Sequence, residues 1–299
     1  MVADLLMLER LSGADLALLA RVTGAAGAEA DPAAGLRARP AAVEPLLGRP
    51  EVYDALFAGA EDTLVLVTPF LAFAVLVAHT AHALTGATFV TERVGRRTSV
   101  PVFEVEPLRE LLDDPLRRLF LADLLASYTH VASGTVWMKG RRGWRHRRFS
   151  ELDPVQLAEL ALAAPARERP AVYRRLGDLA LFLGGVFPDY VESHPLPPVG
   201  VERLRRALAG DGSAGHDAAG VPGFSGSLGP GLGAPTLLES VGKRSYQLAW
   251  AATPYHDLGF APALGYVAGH YRHARMVLGF ITDSYLRGMR DRWFPLGEG

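Results

Sequence analysis

Six of the ten residues from Lys139 to Arg148 carry fixed positive charge: Lys139, Arg141, Arg142, Arg145, Arg147 and Arg148. His146 stands among them, and residues 124–150 contain no acid. The chain is formally −1, so everything outside these six residues sums to −7. Guanidinium groups present forked donors that match phosphate and carboxylate oxygens. Trp137 and Trp144 add flat surfaces on which bases can stack. The expected chemistry is anion binding by these six residues. The partner would be nucleic acid, an acidic protein surface or a phosphorylated ligand. The competing expectation is an exposed hairpin whose arginines pair with acids of the body.

Two histidine pairs have spacing that could serve a metal. His79 and His82, and His270 and His273, each stand three apart on expected helices, which puts both rings of a pair on one face. A di-iron bundle needs a Glu three residues before its His, and neither pair has one. At about 100° per residue, His273 falls about 120° from the apolar stripe of its helix and is expected to face water. No metal and no cofactor are therefore expected.

Other catalytic patterns are incomplete. Gly223-Phe-Ser225-Gly-Ser227 lacks the final glycine of a nucleophile elbow and has no strand feeding it. Asp113 and Asp114 resemble a magnesium pair, but Asp114 precedes Pro115 and suits a helix cap. Arg174, Arg175 and Asp178 begin a helix that runs on into apolar residues. Asp178 is expected to pair with Arg174 one turn earlier.

Composition narrows the class. The 299 residues are 49% hydrophobic, enough for a sizeable core. Cysteine is absent, which removes disulfides, thiol nucleophiles and thiolate metal sites. There are 29 Arg against two Lys, no Asn and one Ile, the bias of a GC-rich bacterial coding sequence. Arginine richness is thus partly background, and only its clustering is informative. The N-terminus is not a secretory signal. Thr63 to Leu84 lacks charge and is long enough to span a bilayer. It is read instead as a core helix, started by Thr68-Pro69 and stopped by Gly86. A cytoplasmic protein without membrane insertion is expected.

Thr68-Pro69, Glu106-Pro107, Asp114-Pro115 and Asp153-Pro154 each place proline at a first helical position, and in three of the four the preceding residue is a capping type. These starts and the apolar periodicity predict helices over 2–11, 14–22, 40–47, 50–58, 69–85, 107–112, 115–131, 154–164, 170–184 and 199–209. Two more are predicted at 236–252 and 261–292, the latter with an apolar stripe of Val267, Tyr271, Ala274, Leu278, Ile281 and Tyr285. β-Branched runs around Gly-Arg-Arg turns predict hairpins at 88–105 and 135–149.

The expected fold is mainly α, a compact multi-helix body with one or two short β-hairpins. Residues 1–208 form the body, 209–235 a Gly-rich flexible linker, and 236–299 a helical pair packing back on the body. The expected function is non-enzymatic binding or regulation through the basic hairpin. The alternatives are an enzyme with a pocket lined by His, Tyr and Trp, or a structural subunit of a larger assembly.

Overall fold

The computed structural model describes residues 2–25, 31–58, 66–95, 98–130, 133–140, 143–209, 233–253 and 259–294. The N-terminal helices are α1 (Val2–Arg10), α2 (Gly13–Thr23), α3 (Pro32–Arg37), α4 (Val43–Leu47) and α5 (Pro50–Tyr53). Then come α6 (Pro69–Gly86), strands β1 (Val90–Gly95) and β2 (Thr98–Val102), α7 (Glu106–Asp113) and α8 (Pro115–Ser127). Strands β3 (Ser133–Gly140) and β4 (Gly143–Ser150) lead into α9 (Pro154–Ala163), α10 (Arg169–Val186), α11 (Pro188–Ser193) and α12 (Pro198–Leu208). The last helices are α13 (Ala234–Ala251), α14 (Ala261–Gly269), α15 (Tyr271–Ile281) and α16 (Arg290–Trp293). Each pair of strands forms its own antiparallel hairpin, so the fold is mainly α.

Capping chemistry explains where these helices start. Thr68, Asp114 and Asp153 each accept a backbone N–H of the first turn, with proline just behind. At α7 the cap position is Val105, which makes no side-chain cap, and Glu106 already lies inside the helix. Asp31-Pro32 repeats the same signature and starts α3, a helix the apolar periodicity did not predict. The short α11 was also unpredicted.

Helix α6 is the centre of the fold. Phe70 through Val77 are all buried, which a helix apolar on every side requires. By length and composition it is the one helix among the described residues able to cross a membrane, and 61% of its span is buried inside the protein. Asp15 fixes its entry. The fully buried carboxylate accepts the Thr68 N–H and hydroxyl, both at 2.9 Å, and the Ser12 N–H at 2.8 Å. A buried acid with three donors is satisfied.

Helices α10 and α13 pack closely because glycines remove side chains at their crossings. A Cβ at Gly177 would lie 2.3 Å from the Tyr246 ring of α13, and where α13 meets α15 one at Gly242 would lie 1.9 Å from the Tyr271 hydroxyl. The buried phenol of Tyr246 donates to Asp178 at 2.7 Å.

Three predicted elements are corrected. The helix expected over 261–292 is interrupted. It ends at Gly269, passes through His270 at φ −116°, ψ 34°, and restarts at Tyr271. The His270 backbone N–H still reaches the Tyr266 carbonyl at 3.0 Å, and its ring nitrogen lies 3.0 Å from the same oxygen. A π-helical turn, Thr282–Leu286, follows α15. Helix α8 ends at Ser127 rather than 131, because the Ser127 and Thr129 hydroxyls bond carbonyls three residues back. In the first hairpin, residues 103–105 leave the strand, whose pairing ends at Val90 opposite Val102. Of the expected linker, residues 210–232 lie outside the described residues.

Candidate functional site

The basic segment lies on the β3–β4 hairpin. The backbone register sets Thr135 opposite Arg148, Trp137 opposite His146, Met138 opposite Arg145, and Lys139 opposite Trp144. Alternate strand positions belong to opposite faces. Lys139 and Arg148 therefore share one face with Trp137, Trp144 and His146. Arg145 and Arg147 belong to the other, with Val136 and Met138. Arg141 and Arg142, in the turn, lie outside the described residues.

The roots of the hairpin are held by a network that spacing did not reveal. On the entry side stand Ser127 and Tyr128 at the end of α8; on the exit side stands Glu151, directly after β4. Arg175 of α10 reaches both. Its guanidinium donates to Ser127 Oγ at 2.8 Å and to Glu151 Oε2 at 2.7 Å. It also lies 4.1 Å from the Tyr128 ring centroid, and that ring stacks on Phe182 at 4.2 Å. Ser127 meanwhile donates its own proton to the Leu124 carbonyl at 2.8 Å, so its oxygen is free to accept from Arg175. Burial pulls the Arg175 guanidinium down, but Tyr128 and Glu151 outweigh that and hold it above its ordinary value.

The exit is fixed a second time. Gln156 of α9 accepts the Ser150 N–H at 3.0 Å and donates to Asp153 at 2.6 Å, while Asp153 caps the same helix. The hairpin is thus anchored through short bonds at its base, where β4 packs against α9.

Arg174, the neighbour of Arg175, meets Asp123 at 3.3 Å and Asp178 at 3.7 Å. The expected Arg174–Asp178 pair is therefore present, but it is the longer of the two. Arg10 reaches Asp123 at 3.1 Å as well. Burial raises the Asp178 pKa, opposed by Arg174 and by the hydrogen bond from Tyr246.

The histidines are used for packing. His79 stacks on Tyr53 at 3.9 Å and meets Tyr285 edge-on at 5.4 Å. Burial first, and then His82, lower its pKa; His82 itself is exposed. Two π-helical turns supply these neighbours: Asp54–Ala58 follows Tyr53, and Thr282–Leu286 contains Tyr285. His273 is half-buried rather than solvent-facing. Its ring lies 5.9 Å from that of His270, which stacks on Tyr266. Among the described residues no three His, Cys, Asp or Glu side chains converge at metal-ligand spacing. Asp114 is occupied as a cap, accepting the Arg117 N–H at 3.0 Å. Ser225 and Ser227 lie outside the described residues.

A cavity of about 30 Å³ lies between β1, the end of α10 and α15, lined by Glu92, Arg93, Gly185, Arg275 and Asp283 among others. It has room for a water or two, whereas small-molecule sites are about 300–1,000 Å³. Its charges are matched. Glu92 accepts from Arg272 and Arg275, and Arg93 meets Asp189 at 2.7 Å and Asp283 at 3.2 Å.

No protein-family model, curated protein or solved structure matches this chain.

Proposed function

We propose that this chain is a binding protein whose β3–β4 hairpin engages an anionic polymer, with nucleic-acid phosphates as the chemistry it fits best. One observation carries the reading. The two acids that bracket the acid-free stretch 124–150 are committed to arginines of the body: Asp123 to Arg10 and Arg174, and Glu151 to Arg175. These two carboxylates are held by arginines of the body, which supports an external anion as the hairpin's partner. Trp137 and Trp144 share a face with Lys139 and Arg148, the mix of cation and aromatic that suits a single strand. The small, charge-matched cavity gives less support to an enzyme reading.

The test is fluorescence anisotropy with duplex DNA, single-stranded oligonucleotides and heparin across a salt series. Binding at low salt is expected, with a steep salt dependence of roughly 0.9 in log–log slope per duplex phosphate contacted. Replacing Arg141, Arg142 and Arg145 with Gln should weaken it at least tenfold, since several charge-assisted contacts are lost together. Absence of binding to every polyanion at low salt refutes the reading. Heparin binding as tight as nucleic acid reduces the hairpin to a generic cation surface.

A further inference from the structure

We propose that the pairing of Tyr266 with His270 is a clasp that ends α14 and sets the direction in which α15 leaves. Little else in the local sequence stops the helix there. Val267, Tyr271, Ala274, Leu278 and Ile281 keep one helical stripe through the joint and are all buried. No proline stands between Pro262 and Pro295. Gly269 weakens a helix, but so does Gly265, and α14 runs through that one.

At His270 two donors share one acceptor. The backbone N–H reaches the Tyr266 carbonyl at 3.0 Å, and the ring Nδ1 lies 3.0 Å from the same oxygen. A carbonyl oxygen only accepts, so this contact assigns the ring proton to Nδ1. A side chain that bonds nearby backbone offers the chain an alternative to the helix ladder. His270 takes it, with φ −116° and ψ 34°. Its ring also stacks on Tyr266, with centroids 4.1 Å apart and planes at 17°. Arg117 of α8 lies 3.9 Å over the same Tyr266 ring. Two groups that close to one centroid occupy opposite faces, so the clasp is keyed to α8 as well.

The same device closes α11. Tyr190 and His194 have the same spacing, rings 4.2 Å apart at 20°, and Nδ1 at 3.1 Å from the Tyr190 carbonyl. The His194 backbone N–H meets that oxygen at 2.9 Å, and the residue has φ −123° and ψ 65°. There Pro195 follows and disfavours helix at His194 unaided. At His270 no proline helps, and the next residue already starts α15. What the clasp directs is specific: α15 carries Arg272 and Arg275, and both donate to Glu92 of β1. The joint thereby seats the β1–β2 hairpin.

The test is NMR of the full-length protein. In mildly alkaline buffer, where histidine is neutral, the ring nitrogens of His270 should report the Nδ1–H tautomer. His270→Ala removes the ring and puts the best helix former at the joint. Residues 267–273 should then give unbroken helical carbon shifts. Amides of Val90 to Arg93 should exchange about tenfold faster, as Arg272 and Arg275 turn away from Glu92. A break that persists in His270→Ala overturns the proposal. So does a straightened helix with unchanged exchange in β1, because α15 would then keep its direction without the clasp. If His270→Ala does not fold, the parent decides alone: Nδ1–H supports the clasp, and Nε2–H overturns it, since an unprotonated Nδ1 would face the carbonyl oxygen with lone pair against lone pair.

Discussion

The arginines of the body and those of the β3–β4 hairpin are the same residue in two different electrostatic settings. In the body, arginine is supplied together with acid. Arg118 pairs with Glu44, Arg203 with Glu159 at 2.9 Å, Arg275 with both Glu92 and Glu239, and Arg93 with Asp189 and Asp283. The hairpin has five arginines and a lysine within a stretch that has no acid from 124 to 150. The difference teaches that arginine content is uninformative in a chain with 29 of them. On the proposed reading, what would distinguish a binding surface from a stapled one is the supply of carboxylates.

This contrast can be broken by stability measurements. The largest loss should come from the core that carries the body network. Gly177→Ala places a methyl 2.3 Å from the Tyr246 ring, in a helix crossing with no room to shift. Overpacking of this kind should cost about 3 kcal/mol in urea unfolding; a cost below about 1 kcal/mol would mean that α10 and α13 pack less tightly than described. Next is Glu92→Ala, which removes a carboxylate that is only 6% exposed and takes this partner from Arg272, while Arg275 keeps Glu239. About 2–3 kcal/mol is expected, less than for a fully buried pair, because Arg272 remains 54% exposed.

The pH dependence sharpens the same point. Burial pushes the Glu92 carboxyl up, but hydrogen bonds from Arg272 and Arg275 outweigh it and hold the pKa below the ordinary 4.5. A lowered acid contributes stability that is complete above its unfolded value and is lost as the pH falls through its folded value. Urea midpoints should therefore drop below pH 4.5, and Glu92→Gln should flatten that part of the profile. An unchanged slope in the variant would assign acid sensitivity to other carboxylates.

The smallest effects should come from exposed pairs and from the hairpin itself. Arg167→Gln removes a partner of Glu168 at 3.3 Å on the surface, and should change stability by under about 0.5 kcal/mol. The hairpin triple, Arg141→Gln, Arg142→Gln and Arg145→Gln, should move the melting temperature as little while sharply weakening polyanion binding. A large fall in melting temperature would place these arginines with the stapled set and end the contrast.

Much of the fold was legible in the sequence, for local reasons. Thr68, Asp114 and Asp153 before proline set three helix starts through backbone chemistry that needs no tertiary partner. The helix break at His270 was not legible, because Val267, Tyr271, Ala274, Leu278 and Ile281 keep their helical spacing through it and are all buried. Periodicity reports which residues face the core; it does not report whether the axis stays straight. The cationic hairpin was legible as a charge run. Its root clamp was not, since Arg175 and Glu151 are 24 residues apart and nothing local selects that pair from the many arginines and acids available.

The Asp15 junction has a consequence for how the chain is made. Thr68, which provides two of its three donors, stands 53 residues downstream. A nascent chain that has released only α1 and α2 carries Asp15 as an ordinary hydrated acid with a capping box and no tertiary partner. The N-terminal helices gain their lock only when the entry of α6 has left the ribosome, and the apolar Phe70–Val77 helix that packs against α4 and α5 arrives in the same step. Synthesis therefore commits the first sixty-odd residues late, and together with the central helix they wait for.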